Sequence, residues 1–349
     1  MTGPLITPTA RLRLPGRAPE EEWHAVRRTG VGGSDVAAIV GLDVHRGPRH
    51  VYLAKRGELD GRLPGRAGRA ARRGHRLEGL VAEFFTEDTG LVVRDAPGTL
   101  AHADHPHWLA NPDRIAWRDD DGTLTDPSVL ECKTRTWRSA KSEDWTGDEP
   151  PDVPAIQTHW YLAVTGYERG YVAGTVDDDF YWWRIDRDDE LIAMLTDAVD
   201  TFWHEHVVPG VPPPVDGSAA TTDLLARLFD VQPEKTLEVD PVGTAVLLAR
   251  RRELKERADA AADALAAVDN ALKDQLGDAE VATAGGRVLY TWRANGNFAS
   301  ARFREAEPEL AREYQRHAPV VDTDRLADED PETFHRFRAR RLHIPEARP

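Results

Sequence analysis

A proline- and glycine-rich run, PGVPPPVDGSAA at 209–220, constrains the folding of this 349-residue chain more than any other feature. Stacked Pro and Gly residues continue neither a helix nor a sheet ladder. The run therefore predicts a boundary between a first domain at 1–217 and a C-terminal extension at 218–349. A chain of this length can bury one medium core together with a smaller appended domain.

The first part of the chain alternates between helical and strand patterns. Apolar residues recur at helical spacing from 75 to 89 and stop before Gly90, which predicts an amphipathic helix. A short helix is predicted at 34–40, with Ser34 as its N-cap. This alternation indicates an α/β fold. The other predicted elements are strands at 109–117, 129–134, 169–175 and 180–185 and helices at 155–165 and 191–207.

Beyond residue 217 the pattern is mainly helical. A long helix is predicted at about 242–276, where apolar residues spaced alternately four and three apart form a coiled-coil-like seam. This seam is compatible with a helical hairpin, a self-association surface or a brace on the first domain. A small hairpin is predicted at 280–293, around Gly285 and Gly286.

Composition excludes several classes of protein. With 40% hydrophobic and 30% charged residues, the chain is typical of a soluble globular protein, and no apolar stretch reaches the roughly 18 residues that span a bilayer. The N-terminal segment does not resemble a secretory signal. The sole cysteine, Cys132, forms neither an intramolecular disulfide nor a thiolate zinc site by itself, which favours the cytoplasm of a bacterial or phage-infected cell.

The net charge of −15 argues at first against a nucleic-acid partner. However, residues 11–76 contain fifteen Arg and Lys against seven Asp and Glu, a local charge of +8, and the rest of the chain carries −23. Local charge decides whether a groove can follow a phosphate backbone. The alternative is an Arg-rich solvated surface without a partner.

Glu131 and Lys133 are the first candidates for chemistry. Residues two apart on a strand share one face, so these two point together while Leu130 and Cys132 point to the other face. A carboxylate that binds a hard cation, beside a lysine that orients water, is suited to metal-assisted phosphodiester cleavage. The alternative is an exposed ion pair of little energetic value.

Three further side chains extend this candidate site. Asp113 begins the strand that leads through one turn to the Glu131 strand, so an antiparallel pairing brings both carboxylates together, unless Asn111–Asp113 is an ordinary turn. Glu78 lies at the margin of its helix's apolar stripe, where it can add a carboxylate or pair with a nearby arginine. Gln157 can hold water or a phosphate oxygen, although a helical glutamine is usually only solvated.

A second constellation is the segment RRTGVGGSD at 27–35. Gly32 and Gly33 let backbone N–H groups approach an anion, and the helix that follows presents its positive end. Ser34 adds a hydroxyl and Arg28 a guanidinium. The segment predicts a phosphate pocket, although it matches neither the P-loop nor the Rossmann glycine pattern, and a plain helix cap is the alternative.

Together and in this order, these segments resemble the YqaJ-like viral recombinase family, relatives of lambda exonuclease within the PD-(D/E)xK nucleases. The resemblance covers about residues 20–217 and depends on the combination of motifs. The matching segments are RTGVGGSD at 28–35, GHRLEGLVAEFF at 74–85, NPD at 111–113, ECKT at 131–134, QTHWYLAVTG at 157–166 and the segment from Phe202 to Gly217.

The resemblance implies a restriction-endonuclease-like core with a mixed central sheet flanked by helices. It implies Mg²⁺, with Mn²⁺ able to substitute, bound by Asp113, Glu131 and the Cys132 carbonyl. Lys133 would be the catalytic lysine. The remaining implied roles are a supporting carboxylate at Glu78, a water- or phosphate-positioning Gln157, and contacts to a 5′-phosphate at Arg28, Gly32, Gly33 and Ser34.

The implied activity is exonucleolytic hydrolysis of linear double-stranded DNA from its ends, in the 5′ to 3′ direction, for phage-type recombination or repair. The expected partners are DNA ends, a single-strand annealing protein and further copies of the chain, without a membrane. Two alternatives stay open. One is an endonuclease of restriction or repair type on the same core, and the other is a catalytically silent scaffold that binds DNA ends.

Overall fold

The computed structural model describes residues 4–59, 65–137, 144–228, 235–294, 299–314 and 320–336. The chain forms two compact units, one within 1–230 and one within 231–349. The helix that follows the proline-rich run packs into the core of the first unit through Leu224. The first unit thus extends past the boundary expected at 217.

The elements of the first unit, in chain order, are β1 (Ala10–Pro15), α1 (Glu20–Arg27), α2 (Gly33–Ile39), α3 (Pro48–Arg56), α4 (Gly65–Thr89), β2 (Val92–Asp95), β3 (Gly98–His102), β4 (Leu109–Ala110), β5 (Arg114–Asp120), β6 (Thr123–Arg135), α5 (Asp152–Thr165), β7 (Arg169–Val176), β8 (Asp179–Asp186), α6 (Asp189–Phe202), a π-helix (Trp203–Val207) and α7 (Ala219–Leu228). The described strands of this unit form two sheets. A three-stranded antiparallel sheet has the order β1-β3-β4. A five-stranded sheet has the order β2-β5-β6-β7-β8, in which β6 and β7 are parallel and the other neighbours are antiparallel.

Helices cover both faces of the five-stranded sheet. Leu130 and Ala173 pack with Phe85 of α4 on one face. Val129 and Val172 alternate with them and join the main core, which includes Trp160 of α5, on the other face. The expected α/β fold, with a mixed central sheet flanked by helices and a mainly helical C-terminal part, is confirmed.

Three local expectations are wrong. The strand expected at 109–117 is interrupted at 111–113, so that β4 and β5 belong to different sheets, and the buried Pro112 lies in the gap. Ser34 is not an N-cap, because α2 is capped by Gly32, whose backbone N–H donates to Asp35 Oδ2 at 3.3 Å. The helix expected at 191–207 is α-helical only to Phe202 and ends in the π-helix.

The second unit begins with the long helix that the sequence predicts, α8 (Pro241–Leu276), capped by Asp240. The predicted hairpin follows as β9 (Val281–Ala284) and β10 (Arg287–Thr291), and Gly285 and Gly286 take positive φ angles in its turn. Four short helices complete the described part, namely α9 (Ser300–Ala306), α10 (Pro308–Glu313), α11 (Thr323–Glu329) and α12 (Pro331–Arg336). Among the described residues, no helix combines the length and apolarity that a membrane span needs.

Candidate functional site

Glu131 and Lys133 lie near the end of β6 and share the face that α5 covers, as the alternation predicts. The Lys133 ammonium donates to Glu131 Oε1. Glu131 is only 1% exposed, whereas the Lys133 side chain keeps 22% of its exposure. Glu131 Oε2 has no hydrogen-bond partner of good geometry among the described residues, although the Tyr161 hydroxyl lies near enough to lower the pKa of Glu131. A buried carboxylate oxygen without a donor is costly unless a further group, such as a cation, satisfies it.

Asp113 joins this pair from the gap between β4 and β5. Its Oδ2 accepts a hydrogen bond from the Cys132 backbone N–H at 2.8 Å, which fixes the carboxylate beside β6. In an extended strand the N–H and C=O of one residue face the same edge, so the Cys132 carbonyl also faces Asp113. Two carboxylates and one carbonyl are hard oxygen donors of the kind that Mg²⁺ prefers. The residues present therefore fit a divalent cation.

The electrostatics of the two carboxylates agree with this fit. Burial, together with the charge of Asp113, raises the pKa of Glu131 to about 7. Burial likewise raises the pKa of Asp113, against the opposing effect of Lys133. Each carboxylate thus carries its negative charge at a cost that a bound cation would offset.

The pKa of Lys133 is shifted in the direction that keeps its ammonium group charged. Burial alone would lower its pKa, but Glu131 and Asp113 outweigh burial and raise the pKa above its ordinary range. The ammonium therefore stays protonated at neutral pH. It can donate hydrogen bonds to a water or a phosphate oxygen, but it does not act as a proton acceptor.

Glu78 lies on α4 near Asp113. Burial and the negative charge of Asp113 raise the pKa of Glu78, so the two carboxylates interact. The partner of Glu78 is His75, with 3.0 Å between Nδ1 and Oε2, rather than one of the nearby arginines. The structure thus places Glu78 beside Asp113, in the candidate site to which the sequence assigns it.

Gln157 of α5 is buried and held in one orientation. Its Nε2 donates to Tyr161 Oη at 2.6 Å, and that hydroxyl donates to the Asn111 carbonyl at 2.9 Å. This leaves Gln157 Oε1 toward Lys133, 3.4 Å from Nζ. Because the amide is oriented by its neighbours, Gln157 is part of the site and not a solvated surface residue.

The glycine segment lies directly against this site. A Cβ atom added at Gly33 would come within 2.7 Å of Tyr161 Cε1 and 2.8 Å of Gln157 Cγ. Only glycine allows α2 to approach α5 this closely. The two constellations that the sequence indicates separately are therefore parts of one region.

Three cations surround one buried carboxylate behind this segment. Asp35, 3% exposed, accepts from Lys55 at 2.6 Å, from Arg46 at 3.3 Å and from Arg27 at 3.4 Å. Burial would raise the pKa of Asp35, but the three cations outweigh it and hold the pKa well below its usual range. Arg46 also pairs with Asp43. Three cations against two carboxylates leave this cluster with a net charge of +1.

Arg27, rather than Arg28, lies against Ser34. The Arg27 guanidinium donates to Ser34 Oγ at 3.2 Å and stacks over Trp23, 4.8 Å from the ring centroid. Arg28 is exposed at the end of α1. Sequence reasoning missed Arg27, Arg46 and Lys55 as partners of Asp35. The sequence contains one local indication of the role of Asp35: it lies three residues after Gly32, the spacing of a capping box.

Comparison with known proteins places these features in a family. Residues 22–168 match the model of the YqaJ-like viral recombinase domain. The chain is 32% identical over 270 residues to the uncharacterized protein YqaJ of Bacillus subtilis (strain 168). The aligned region covers 74% of this chain and 79% of the relative.

Two solved structures are similar to about half of this chain. An alkaline exonuclease from Laribacter hongkongensis matches with a TM-score of 0.42 and 23% identity, over 53% of this chain and 91% of that one. A phage related exonuclease from Haemophilus somnus 129PT matches with a TM-score of 0.35 and 12% identity, over 50% of this chain and 91% of that one. Because residues 22–168 match the family model and the chain is 32% identical to YqaJ, this chain belongs to the YqaJ-like viral recombinase family.

Proposed function

We propose that this chain is a metal-dependent deoxyribonuclease that hydrolyses linear double-stranded DNA from its ends. The observation that carries the proposal is the buried, unsatisfied Oε2 of Glu131, next to Asp113 and the charged Lys133. A buried carboxylate oxygen of this kind calls for a further group to complete it, and a bound cation is the group that the neighbouring oxygen donors fit. Relatives in structure are described as exonucleases, which agrees with this reaction class.

Asp113, Glu131 and the Cys132 carbonyl would hold Mg²⁺, with Mn²⁺ able to substitute. Such a cation supplies Lewis acidity to a phosphodiester. The chain's own residues then position the reactants. The protonated Lys133 donates hydrogen bonds to the attacking water and to the charge that develops on the phosphate. Gln157 Oε1 accepts a hydrogen bond from that water.

Glu78 has a different role in the proposal. Its raised pKa, with Asp113 nearby, makes it a better proton acceptor than an ordinary surface carboxylate. It therefore supports the site by receiving the proton that the water loses, directly or through His75, its hydrogen-bond partner.

The glycine segment would bind the end of the DNA. Gly32 is the N-cap of α2, and Gly33 and Ser34 begin the helix, whose positive end favours an anion, and the cation cluster around Asp35 makes the surroundings positive. A terminal 5′-phosphate carries more charge than an internal phosphodiester, so this pocket favours ends and a 5′ to 3′ direction. Arg28 would reach the phosphate from the exposed side.

Two alternatives make different predictions. An endonuclease on the same core would cut closed circular DNA, and a silent scaffold would bind ends without cutting. The complete set of Glu78, Asp113, Glu131 and Lys133 favours an active enzyme. In the cell, we propose that the chain acts in the cytoplasm as a homo-oligomer, together with a single-strand annealing protein, in recombination.

The test uses end-labelled linear duplex and closed circular duplex, each with Mg²⁺, Mn²⁺ or EDTA. We expect Mg²⁺-dependent loss of the linear DNA only, and no cleavage by Asp113→Asn. Arg118→Gln, a change at an exposed residue of the same strand region, is the matched control. Discrete fragments from the circle would establish the endonuclease, and binding without cleavage in either metal would establish the scaffold.

A further inference from the structure

A second group of ligand-type side chains lies in the first unit, outside the carboxylate site. His107, Asp200 and His204 each offer a ligand atom, and these atoms all lie within 4.8 Å of one another. His107 lies in the loop between β3 and β4, Asp200 in the last turn of α6, and His204 in the π-helix that follows. Two segments of chain that are distant in sequence thus meet at one point.

The spacing suits a small cation. Asp200 and His204 are four residues apart on consecutive helical turns, so both face the same side. His107 Nε2 is 2.7 Å from Asp200 Oδ1. Ligand atoms around a tetrahedral zinc ion, at about 2.0–2.1 Å from the metal, are roughly 3.3 Å apart. The three ligand atoms, which lie within 4.8 Å of one another, would therefore need only small side-chain rotations to hold such an ion.

Neighbouring groups hold two of the ligands in place. Trp108 Nε1 donates to Asp200 Oδ1 at 2.7 Å, and the Trp203 ring stacks on His107 with 5.5 Å between centroids. Hydrogen bonds and packing of this kind orient metal ligands. The π-helix is an independent sign, because π-helical turns are rare and are frequently found at functional sites.

We propose that His107, Asp200 and His204 bind one divalent transition-metal ion of the Zn²⁺ type. Two imidazole nitrogens and one carboxylate select such an ion over Mg²⁺, which prefers oxygen ligands. The site is distinct in chemistry from the all-oxygen site at Asp113 and Glu131. A simple hydrogen bond between His107 and Asp200 is the competing explanation, and it does not require His204.

The ion would connect the end of α6 to the glycine segment. The His107 carbonyl accepts from the Val31 N–H at 2.7 Å, and a Cβ atom added at Gly30 would lie 2.3 Å from that oxygen. The 107–108 loop is therefore packed against the residues that lead into Gly32. A metal at His107 would hold this loop, and through it the start of the phosphate pocket.

The test is calorimetric titration of the chelator-treated full chain with ZnCl₂ in the presence of excess MgCl₂. We expect one Zn²⁺ per chain that Mg²⁺ does not displace, and a rise in Tm of a few degrees on saturation. His204→Ala should weaken this binding more than about 100-fold, since even the loss of an orienting neighbour costs 10- to 100-fold. His204 is exposed, so circular dichroism should confirm an unchanged fold.

Two controls separate this site from others. His206→Ala, on the same π-helix, should leave Zn²⁺ binding unchanged. The double variant Asp113→Asn with Glu131→Gln should also bind Zn²⁺ normally while losing cleavage, which separates this site from the proposed nuclease centre. Wild-type affinity in His204→Ala, or Zn²⁺ binding lost only in the double variant, would overturn the proposal.

Discussion

Replacing Glu131 by Gln should remove cleavage and, at the same time, stabilise the metal-free protein above neutral pH. Glutamine has the same shape as glutamate but no charge. The buried Glu131 is destabilised when charged, because burial and Asp113 raise its pKa from an ordinary 4.5 to about 7. The substitution removes this cost and also removes a proposed metal ligand.

The size of the effect follows from the pKa. A rise from 4.5 to about 7 corresponds to about 3 kcal/mol in the free energy of unfolding. The folded protein binds the extra proton in this range, so wild-type stability is complete below pH 4.5 and is lost progressively as the pH rises through about 7. The variant does not share this loss. The wild type and the variant should therefore have similar free energies of unfolding near pH 4.5, and these should differ by up to about 3 kcal/mol above neutral pH.

The assay is urea unfolding in EDTA at an acidic and an alkaline pH, followed by a repeat with Mg²⁺. Mg²⁺ should stabilise the wild type and have a much smaller effect on the variant. Cleavage of linear duplex by the variant should fall at least about 10³-fold, since a catalytic metal contributes several kcal/mol. Glu83→Gln, at an exposed position of α4, is the control and should change neither quantity.

A variant that is less stable than the wild type at alkaline pH without metal would refute this reasoning. It would mean that the ion pair between Glu131 and Lys133 stabilises the fold by more than the burial of the carboxylate costs. Near-normal cleavage by the variant in Mg²⁺ would instead remove Glu131 from the proposed metal centre.

Three further predictions follow from the site. Lys133→Ala should lose cleavage while Mg²⁺ still binds, and weakened Mg²⁺ binding in a titration would contradict its role as a water-orienting group. Arg27→Ala and Arg28→Ala should slow digestion of 5′-phosphorylated ends about ten- to a hundredfold more than 5′-hydroxyl ends, the loss expected for one charge-assisted contact; equal slowing on both labelled substrates would assign these arginines to structure. Affinity for duplex should fall steeply with salt, with a slope that flattens by about one unit for each phosphate contact removed. The test is to neutralise three exposed arginines of α4 together, namely Arg69, Arg72 and Arg73. An unchanged salt dependence in this triple variant would mean that the DNA binds elsewhere on the protein.

Local periodicity by itself determined much of the fold. Alternation along β6 predicts that Glu131 and Lys133 share a face, because side chains on a strand alternate regardless of the rest of the chain. Seam spacing predicts α8 to within a residue at its start, and paired glycines predict the hairpin turn. These features depend only on neighbours in sequence, so the sequence contains all the information needed for them.

Tertiary structure alone decided where these elements meet. The break at 111–113 sends β4 and β5 to different sheets and lets Asp113 reach Cys132, although local propensity favours one continuous strand. Lys55 meets Asp35, and His107 meets Asp200, across 20 and 93 residues of chain. No periodic pattern connects such distant positions, because their contact depends on how helices and sheets pack. The cations around Asp35 beside the proposed phosphate pocket, and the histidine–aspartate cluster, were therefore visible only in the folded molecule.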